Sequence, residues 1–475
     1  MTSALTGNYR EEHDIVYYEQ GWQGSGDCDY RAERCKLDIY YPADEPDFIT
    51  VIWFHGGGLQ AGEKSFPAEL LNKNIAVVAP NYRLSSARAK CPDYLEDAAA
   101  AVAWVFNHIS RYGGSAERIY ISGGSGGGYL AAMLGLAPQY LARHGISNRR
   151  LGGVMPISGQ MTTHFQIVNE RAGIISLTPP TVPVIDEYAP IHYISKDTPP
   201  MAFYVGDPGI EWPGRPEENK LLAALLTRVA MNPQVECLSL PGFDHGDIYP
   251  PALLLMLKKI TAMELKKFVA SGPRCAPRSI RRTPCPQAPY PSDQAWAEAD
   301  WAELVSRGGR QFTPLSRFAF LYDSSHLYFR FIGDEPHPEK MVQNFFGHDA
   351  SCLWEGDCVD IYLAPNPAEP DKAFQLIVAP DGSIYDADFG AFGGSGPGWD
   401  PPGVRAQSHV GEKQWTVDLA IPLADIGLTA AATAMAGNVY RRRLAGGCAE
   451  SANWSPTMVY QNHFPELYGK LNFSR

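Results

Sequence analysis

Residues 118–136, RIYISGGSGGGYLAAMLGL, restrict the fold of this chain more than any other stretch. Ile119-Tyr120-Ile121 reads as a buried strand, Gly123-Gly124-Ser125-Gly126-Gly127 turns the chain, and Tyr129-Leu130-Ala131-Ala132-Met133-Leu134 continues as helix formers with apolar spacing. Strand, glycine-rich turn and helix with one serine at the apex match G-x-S-x-G, the pattern of a nucleophile elbow. The glycines follow from steric demand. A serine held on so sharp a turn brings backbone close to backbone, where a Cβ would clash. The helix behind it directs its free N–H groups at the place where an oxyanion would form. A phosphate-cradling loop is the competing pattern, but that loop wants Lys after its glycines, and here Tyr129 follows.

Around this turn, strands alternate with helices. Thr50-Val51-Ile52-Trp53-Phe54 is a continuous apolar strand, as expected where both faces are covered, and it runs straight into His55-Gly56-Gly57-Gly58. Further buried strands are read at 75–79, 151–157, 201–205 and 235–240, and pieces at 15–18 and 35–40 are expected to form an antiparallel edge. Helices are read near 67–72, over 94–111 with Asp93 as cap and Gly113-Gly114 as stop, over 217–230 and over 252–269. This alternation implies an α/β fold with a doubly wound, parallel sheet. Residues 160–199 are rich in Pro and Thr and lack periodicity, which predicts a pocket wall or lid.

Composition shifts at residues 271–291, where prolines at 273, 277, 284, 286, 289 and 291 mix with arginines and predict a stiff, extended linker. Beyond it, alternating runs at 318–322, 327–332, 358–363, 374–379 and 415–421, separated by Asp/Gly/Pro turns, predict an all-β sandwich with one short helix near 423–427. The expected organisation is an α/β domain over 1–270, a linker over 271–291 and a β-sandwich over 292–475; 475 residues are too many for one ordinary core. A net charge of −12 argues against nucleic acid or an anionic membrane as partner. No run approaches membrane-helix length, and the N-terminal stretch lacks the apolar core of a secretory signal, so a cytoplasmic location is expected. The nine cysteines include no C-x-x-C, which indicates neither a disulfide framework nor a zinc site; in an exported protein Cys28 with Cys35, or Cys352 with Cys358, would be the pairs.

A nucleophilic serine needs a base within hydrogen-bond reach and an acid to hold that base's tautomer. His245 sits on a Gly-flanked turn after the last predicted strand and follows Ser125 in the required order, whereas His108 and His144 read as incidental. The unencumbered backbone of His55-Gly56-Gly57-Gly58 suits oxyanion donors: the amides of Gly57 or Gly58 on one side and that of Gly126 on the other. His55 itself reads as a loop brace.

HGGG at 55–58, YRL at 82–84, Glu96-Asp97, GGSGG at 123–127 and FDHG at 243–246 together resemble the α/β-hydrolase carboxylesterases, in particular the hormone-sensitive-lipase-like and feruloyl/acetyl-esterase-like branches. The resemblance covers residues 30–265. It implies hydrolysis of a small-molecule or carbohydrate ester through an acyl-enzyme, without metal or organic cofactor. The family's acid follows the pattern G-x-x-D, and Gly209 holds that position here. Glu211 is preferred because its longer side chain recovers the displacement, with Asp207 as the alternative and Asp186 and Asp244 as outsiders. An arylformamidase would use the same apparatus, and a non-catalytic hydrolase-fold binding protein is the rival from another class.

The segments LWEGDCVDIYLAP, AFQLIVAPDGSIYDADF, WTVDLAIPLADIG and NWSPTMVYQNHFPELYGKLNF resemble family 9 carbohydrate-binding modules over 292–475. That resemblance places one aromatic platform at Trp354 and a hydroxyl partner at Asp360. The second platform falls near Asn462, where Tyr460 and Phe464 are the aromatic residues at hand, while Ile377 and Ala379 replace polar contacts. A sandwich kept for packing is the competing reading.

Overall fold

Eight strands of the first half gather into one sheet in the computed structural model, which describes residues 9–18, 27–43, 47–174, 182–270, 272–273, 275–306, 309–343, 347–349, 352–390, 399–445, 450–457 and 463–474. In sequence they are β1 (Tyr9–Val16), β2 (Lys36–Pro42), β3 (Phe48–Phe54), β4 (Ile75–Pro80), β5 (Gly114–Gly124), β6 (Gly153–Ile157), β7 (Met201–Val205) and β8 (Val235–Ser239). Their spatial order is β1-β2-β4-β3-β5-β6-β7-β8. β1, β2 and β4 pair antiparallel, and every neighbour from β4 to β8 runs parallel. β4, β6 and β7 are buried at every position, which requires layers on both faces.

The helices of those layers are α1 (Cys28–Arg34), α2 (Asp93–His108), α3 (Gly126–Leu136), α4 (Gln139–Ala142), α5 (Phe165–Ala172), α6 (Arg215–Ala224) and α7 (Tyr249–Ala270). The chain passes from β3 outward to β4, then crosses to β5 on the other side of β3. That reversal opens a crevice at the carboxyl ends of β3 and β5, where sheets of this kind bind ligands. Phe54 and Gly123 are register partners, so the HGGG loop and the Ser125 turn leave the sheet side by side.

Several boundaries differ from expectation. Asp93 lies inside α2, whose cap is Pro92 without a side-chain bond; the Asp93 carboxylate instead accepts from the Lys90 amide at 3.2 Å. The helix near 67–72 is a single 3-10 turn, Ala68–Leu70. Residues 160–174 are not irregular throughout: α5 forms there, because the His164 ring caps it and Phe165 and Ile167 bury against the domain. Cys28, Cys35, Cys352 and Cys358 are unbridged. Among the described residues no helix is long and apolar enough to cross a membrane.

The described chain divides into two compact units, Met1–Ala262 and Met263–Arg475. The second contains β9 (Arg278–Arg282), β10 (Ala302–Glu303), β11 (Val305–Ser306), β12 (Ser316–Tyr322), β13 (His326–Asp334), β14 (Cys358–Ala364) and β15 (Phe374–Val378). It continues with β16 (Ile384–Asp388), β17 (Arg405–Val410), β18 (Gln414–Pro422), β19 (Ala434–Arg443), β20 (Glu450–Asn453) and β21 (Gly469–Ser474). The main path β16-β15-β14-β19-β21-β9-β12-β13-β18-β17 is one continuous sheet with β16 and β17 at its ends. Ile361 of β14 and Leu376 of β15 share a core with Phe320 of β12, Phe329 of β13 and Leu419 of β18.

The proline-rich stretch is not only a tether. Its proline-free segment β9 pairs parallel with both β12 and β21, and Ile280 is fully buried. Prolines 277 and 284 flank it, so each residue of the segment keeps its N–H for the ladder.

One buried ion pair ties the loop after β4 to α2. Arg83 bonds Asp97 through Nε and Nη2, each at 2.8 Å, and Asp97 also accepts the Arg83 amide at 2.9 Å and the Tyr18 hydroxyl at 2.6 Å. Asp97→Ala leaves the Arg83 guanidinium buried with its main partner gone and is expected to cost about 3–5 kcal/mol. A calorimetric transition lowered by roughly 10 °C checks this, with the double variant Arg83→Leu/Asp97→Leu less destabilised than the single one.

Candidate active site

Ser125 stands between the last residue of β5 and the first of α3 with φ 52° and ψ −114°, a left-handed backbone that a residue with a Cβ rarely adopts. Two hydrogen bonds hold it there. Its amide donates to the Ile157 carbonyl at 2.9 Å, and its carbonyl accepts the Tyr129 amide at 2.9 Å. A methyl group on Gly127 would overlap the Phe54 carbonyl, and one on Gly124 would overlap the Tyr249 ring.

The HGGG loop lies against the start of α3. A methyl group on Gly126 would sit 3.1 Å from the Leu59 nitrogen and 3.4 Å from the Gly58 nitrogen, so these nitrogens lie against the elbow. Gly57, Gly58 and Leu59 all have positive φ, and the Gly57 carbonyl closes the turn by accepting the amides of Gln60 and Ala61, each at 3.0 Å. Leu59 is not flagged by the glycine pattern, because an amide carries no side-chain signature. His55 is buried and stacks on Tyr82 with ring centroids 4.4 Å apart, while its Nδ1 meets the Gly56 carbonyl at 2.8 Å. Burial lowers its pKa to about 4, so it is a neutral brace at physiological pH.

His245 Nδ1 and Glu211 Oε1 are 2.6 Å apart. Glu211 receives three further bonds: from the Trp212 amide at 2.8 Å, the Ser158 hydroxyl at 2.6 Å and the Gly206 amide at 3.2 Å. Burial alone would raise this carboxyl, but the bonds from His245, Ser158 and the Trp212 amide outweigh it and hold the pKa at about 2. The backbone explains how a carboxylate two residues late reaches His245. The Asp207 carbonyl accepts the amides of Ile210 (3.0 Å) and Glu211 (2.8 Å), and this helical turn carries Glu211 back towards the sheet edge.

Asp207, the alternative acid, is engaged elsewhere: its carboxylate accepts the Gly209 amide at 2.9 Å and the Gly242 amide at 2.8 Å, tying two loops together. Asp186 binds the Thr163 hydroxyl and Arg171, and Asp244 accepts the amides of Gly246 and Asp247.

One rim collects these groups. Ile157 accepts the Ser125 amide, and the next residue, Ser158, donates to Glu211. Gly124 touches Tyr249, whose ring lies edge-on to His245 at 6.4 Å. Trp212 stacks flat on the imidazole at 4.7 Å and 14°. Ser158, Trp212 and Tyr249 escape sequence reasoning. They are common residue types whose partners come from other loops, and Ser158 announces itself only by following a predicted strand, with φ 46°.

In the second unit a cleft of about 340 Å³ is lined by Trp354, Asp360, Gln375 and Tyr385 among others. Trp354 is 39 % exposed and meets Tyr385 edge to face at 5.3 Å. Gln375 donates to Asp360 at 2.9 Å and to the Tyr362 hydroxyl at 2.7 Å. Tyr362, Tyr385 and Tyr440 also line this cleft, whereas Phe464, half-buried at the start of the turn Pro465–Leu467, is not among its lining residues. Tyr460 and Asn462 lie outside the described residues. His348, Asp349 and Asp386 place ligand atoms within 4.8 Å of one another, close enough to share a cation, and burial together with Asp349 raises Asp386 to about 6.

Residues 37–182 match the profile of the BD-FAE family of α/β-hydrolase esterases, a span that includes the HGGG loop and Ser125 but ends before Glu211 and His245. The probable carboxylic ester hydrolase LipM of Mycobacterium tuberculosis is 29 % identical over 211 residues, 41 % of this chain and 47 % of that protein. Carboxylesterase 1F of Mus musculus is 33 % identical over 168 residues, 32 % of this chain and 28 % of that protein. The chain thus spans less than half the length of these relatives. Among solved structures, a truncated carbohydrate esterase from gut microbiota aligns with TM-score 0.41 at 20 % identity, over 55 % of this chain and 97 % of that one. Esterase 2 of Thermogutta terrifontis aligns with TM-score 0.41 at 24 % identity, over 53 % and 94 %. The family match, the strand order and the glycine-walled elbow identify the first unit as an α/β-hydrolase fold.

Proposed function

We propose that the first unit, read as an esterase domain over residues 1–270, hydrolyses carboxylic esters through an acyl-enzyme on Ser125. The 2.6 Å contact between His245 and Glu211 on the rim that carries Ser125 supports this reading above all else. In it, His245 Nε2 takes the Ser125 proton as Oγ attacks the ester carbonyl, and Glu211 holds the proton on Nδ1 and balances the imidazolium. The amides of Gly57, Gly58 and Gly126 receive the oxyanion, already oriented before charge develops. His245 then protonates the departing alcohol, and a water deprotonated by the same nitrogen cleaves the acyl-enzyme.

Short acyl or aryl esters, including carbohydrate-linked ones, are the proposed substrates. The cleft of the second unit favours the sugar-linked member of that class: the Trp354 ring offers an apolar face, and Asp360 and Gln375 offer hydroxyl partners. A panel of short acyl esters, acetylated xylan, feruloyl esters and formylated aryl amines separates ester hydrolysis from arylformamidase activity. Turnover of none of them would favour a binding protein.

Ser125→Ala is expected to lower turnover of a short 4-nitrophenyl ester by about 10⁴-fold or more while leaving the thermal transition in place; retained turnover removes Ser125 from the mechanism. Glu211→Gln is expected to lower kcat by about 10³–10⁴-fold, because the neutral amide no longer fixes the imidazole tautomer. Glu211 is held at about 2 against an ordinary value of 4.5. Its ionised form therefore stabilises the fold above pH 4.5, and that contribution fades as pH falls towards 2. The Gln variant is expected to show a flatter stability profile across that window in denaturant titrations. For the second unit, millimolar oligosaccharide is expected to change tryptophan fluorescence in the wild type and not in Trp354→Ala; a silent wild type favours a packing role.

A further inference from the structure

Arg215 opens α6 and is only 3 % exposed. Its Nη2 reaches Gln160 Oε1 at 3.4 Å, and its Nη1 has no hydrogen-bond partner among the described residues. The neighbouring carboxylates are engaged by other groups. Glu218 accepts the amides of Met161 (2.8 Å) and Thr162 (3.1 Å), and Glu211 holds His245. Burial draws the Arg215 pKa below its ordinary value, with Glu218 and Glu211 opposing in part. A guanidinium removed from water without a bonded anion is costly, and proteins ordinarily pair it.

Its position ties it to the site. The guanidinium lies over the Trp212 ring, 5.9 Å from the centroid, and Trp212 stacks on His245. The charge is thus one indole away from the base. A second buried donor lies within its electrostatic reach. His164 Nδ1 accepts the Gln166 amide at 3.2 Å, which leaves the proton on Nε2, and that nitrogen is buried without a partner among the described residues. Burial and the nearby Arg215 charge keep His164 neutral. Both groups donate, and what they lack is an acceptor. The planar fork of arginine fits a carboxylate with two parallel bonds. On a chain with net charge −12, such a cation offers an anionic substrate a local attraction against the overall field.

We propose that Arg215 is the specificity residue of this site and pairs with a carboxylate carried by the ester substrate, with His164 Nε2 as an auxiliary donor. This rests on the ester-hydrolase reading and narrows it to acidic esters. Two matched pairs test it with the full chain: mono-4-nitrophenyl glutarate against 4-nitrophenyl pentanoate places the charge on the acyl side, and 4-acetoxybenzoate against 4-acetoxybenzamide places it on the alcohol side. After subtraction of the uncatalysed rate, the wild type is expected to turn over at least one anionic member as well as its neutral partner. Arg215→Gln is expected to lower that anionic-to-neutral ratio of kcat/KM by about 30–100-fold, the scale of a charge-assisted pair, and Arg215→Lys to fall between. A wild type that handles both anionic members about tenfold worse than their partners overturns the proposal even if the variants do not fold. Ratios unchanged in Arg215→Gln also overturn it. If none of the four esters is cleaved by the wild type, the ester-hydrolase reading falls, and this inference with it; cleavage without a ratio change sinks this inference alone.

Discussion

At the carboxyl edge of the first sheet, backbone runs against backbone with no side chain between. Gly127 abuts the carbonyls of Phe54 and His55, Gly56 abuts the Gly124 carbonyl, and Gly126 abuts the amides of Gly58 and Leu59. Gly127 has no room for a Cβ, and one at Gly56 or Gly126 would fit only tightly, so the glycines of two distant segments act as one constraint. It fixes Ser125 in its left-handed conformation and sets the HGGG amides beside it in the same act. The strain at Ser125 is borne by the ladder on either side: β5 is bonded to β3 and β6, and α3 is buried throughout.

The acid is held by a different logic. A carboxylate inside a protein is stable only when its lone pairs are met. Glu211 meets that condition with two backbone amides, one hydroxyl and one imidazole drawn from the ends of β6, β7 and β8. The charge therefore acts as a clasp among three loops as well as an orienter of His245. Trp212, the adjoining residue, covers the imidazole face, so one short helical turn delivers both the charge and the aromatic wall. Arg215 follows in the same segment with its Nη1 unpartnered among the described residues, the opposite arrangement a few residues away.

How much of this was legible in the sequence depends on whether a residue's task is local. The elbow glycines and HGGG are local, since their spacing encodes a backbone shape. The strands of the first unit are legible because continuous apolar runs such as 50–54 and 75–79 have no other stable placement, and β12, β13, β14 and β18 are legible through alternation. The carboxylate partner of His245 was partly legible. The displaced pattern left Glu211 and Asp207 open, and the helical turn at 207–211, invisible in composition, is what brings Glu211 to the imidazole. Ser158, Tyr249 and the Leu59 amide were not legible, because each matters only through a partner from a remote loop. α5 was hidden by its Pro- and Thr-rich surroundings, and the pair Trp354–Tyr385 by a cleft that joins residues of different strands.

β9 shows the same kind of concealment at the scale of a sheet. It lies within a stretch whose prolines signal a tether, yet it is the link through which β12 on one side and β21 on the other share a ladder. A fragment of the second unit that began at Ser292 would lack this rung. Its sheet would be split into two halves with bared edges, each free to recruit a strand from another molecule.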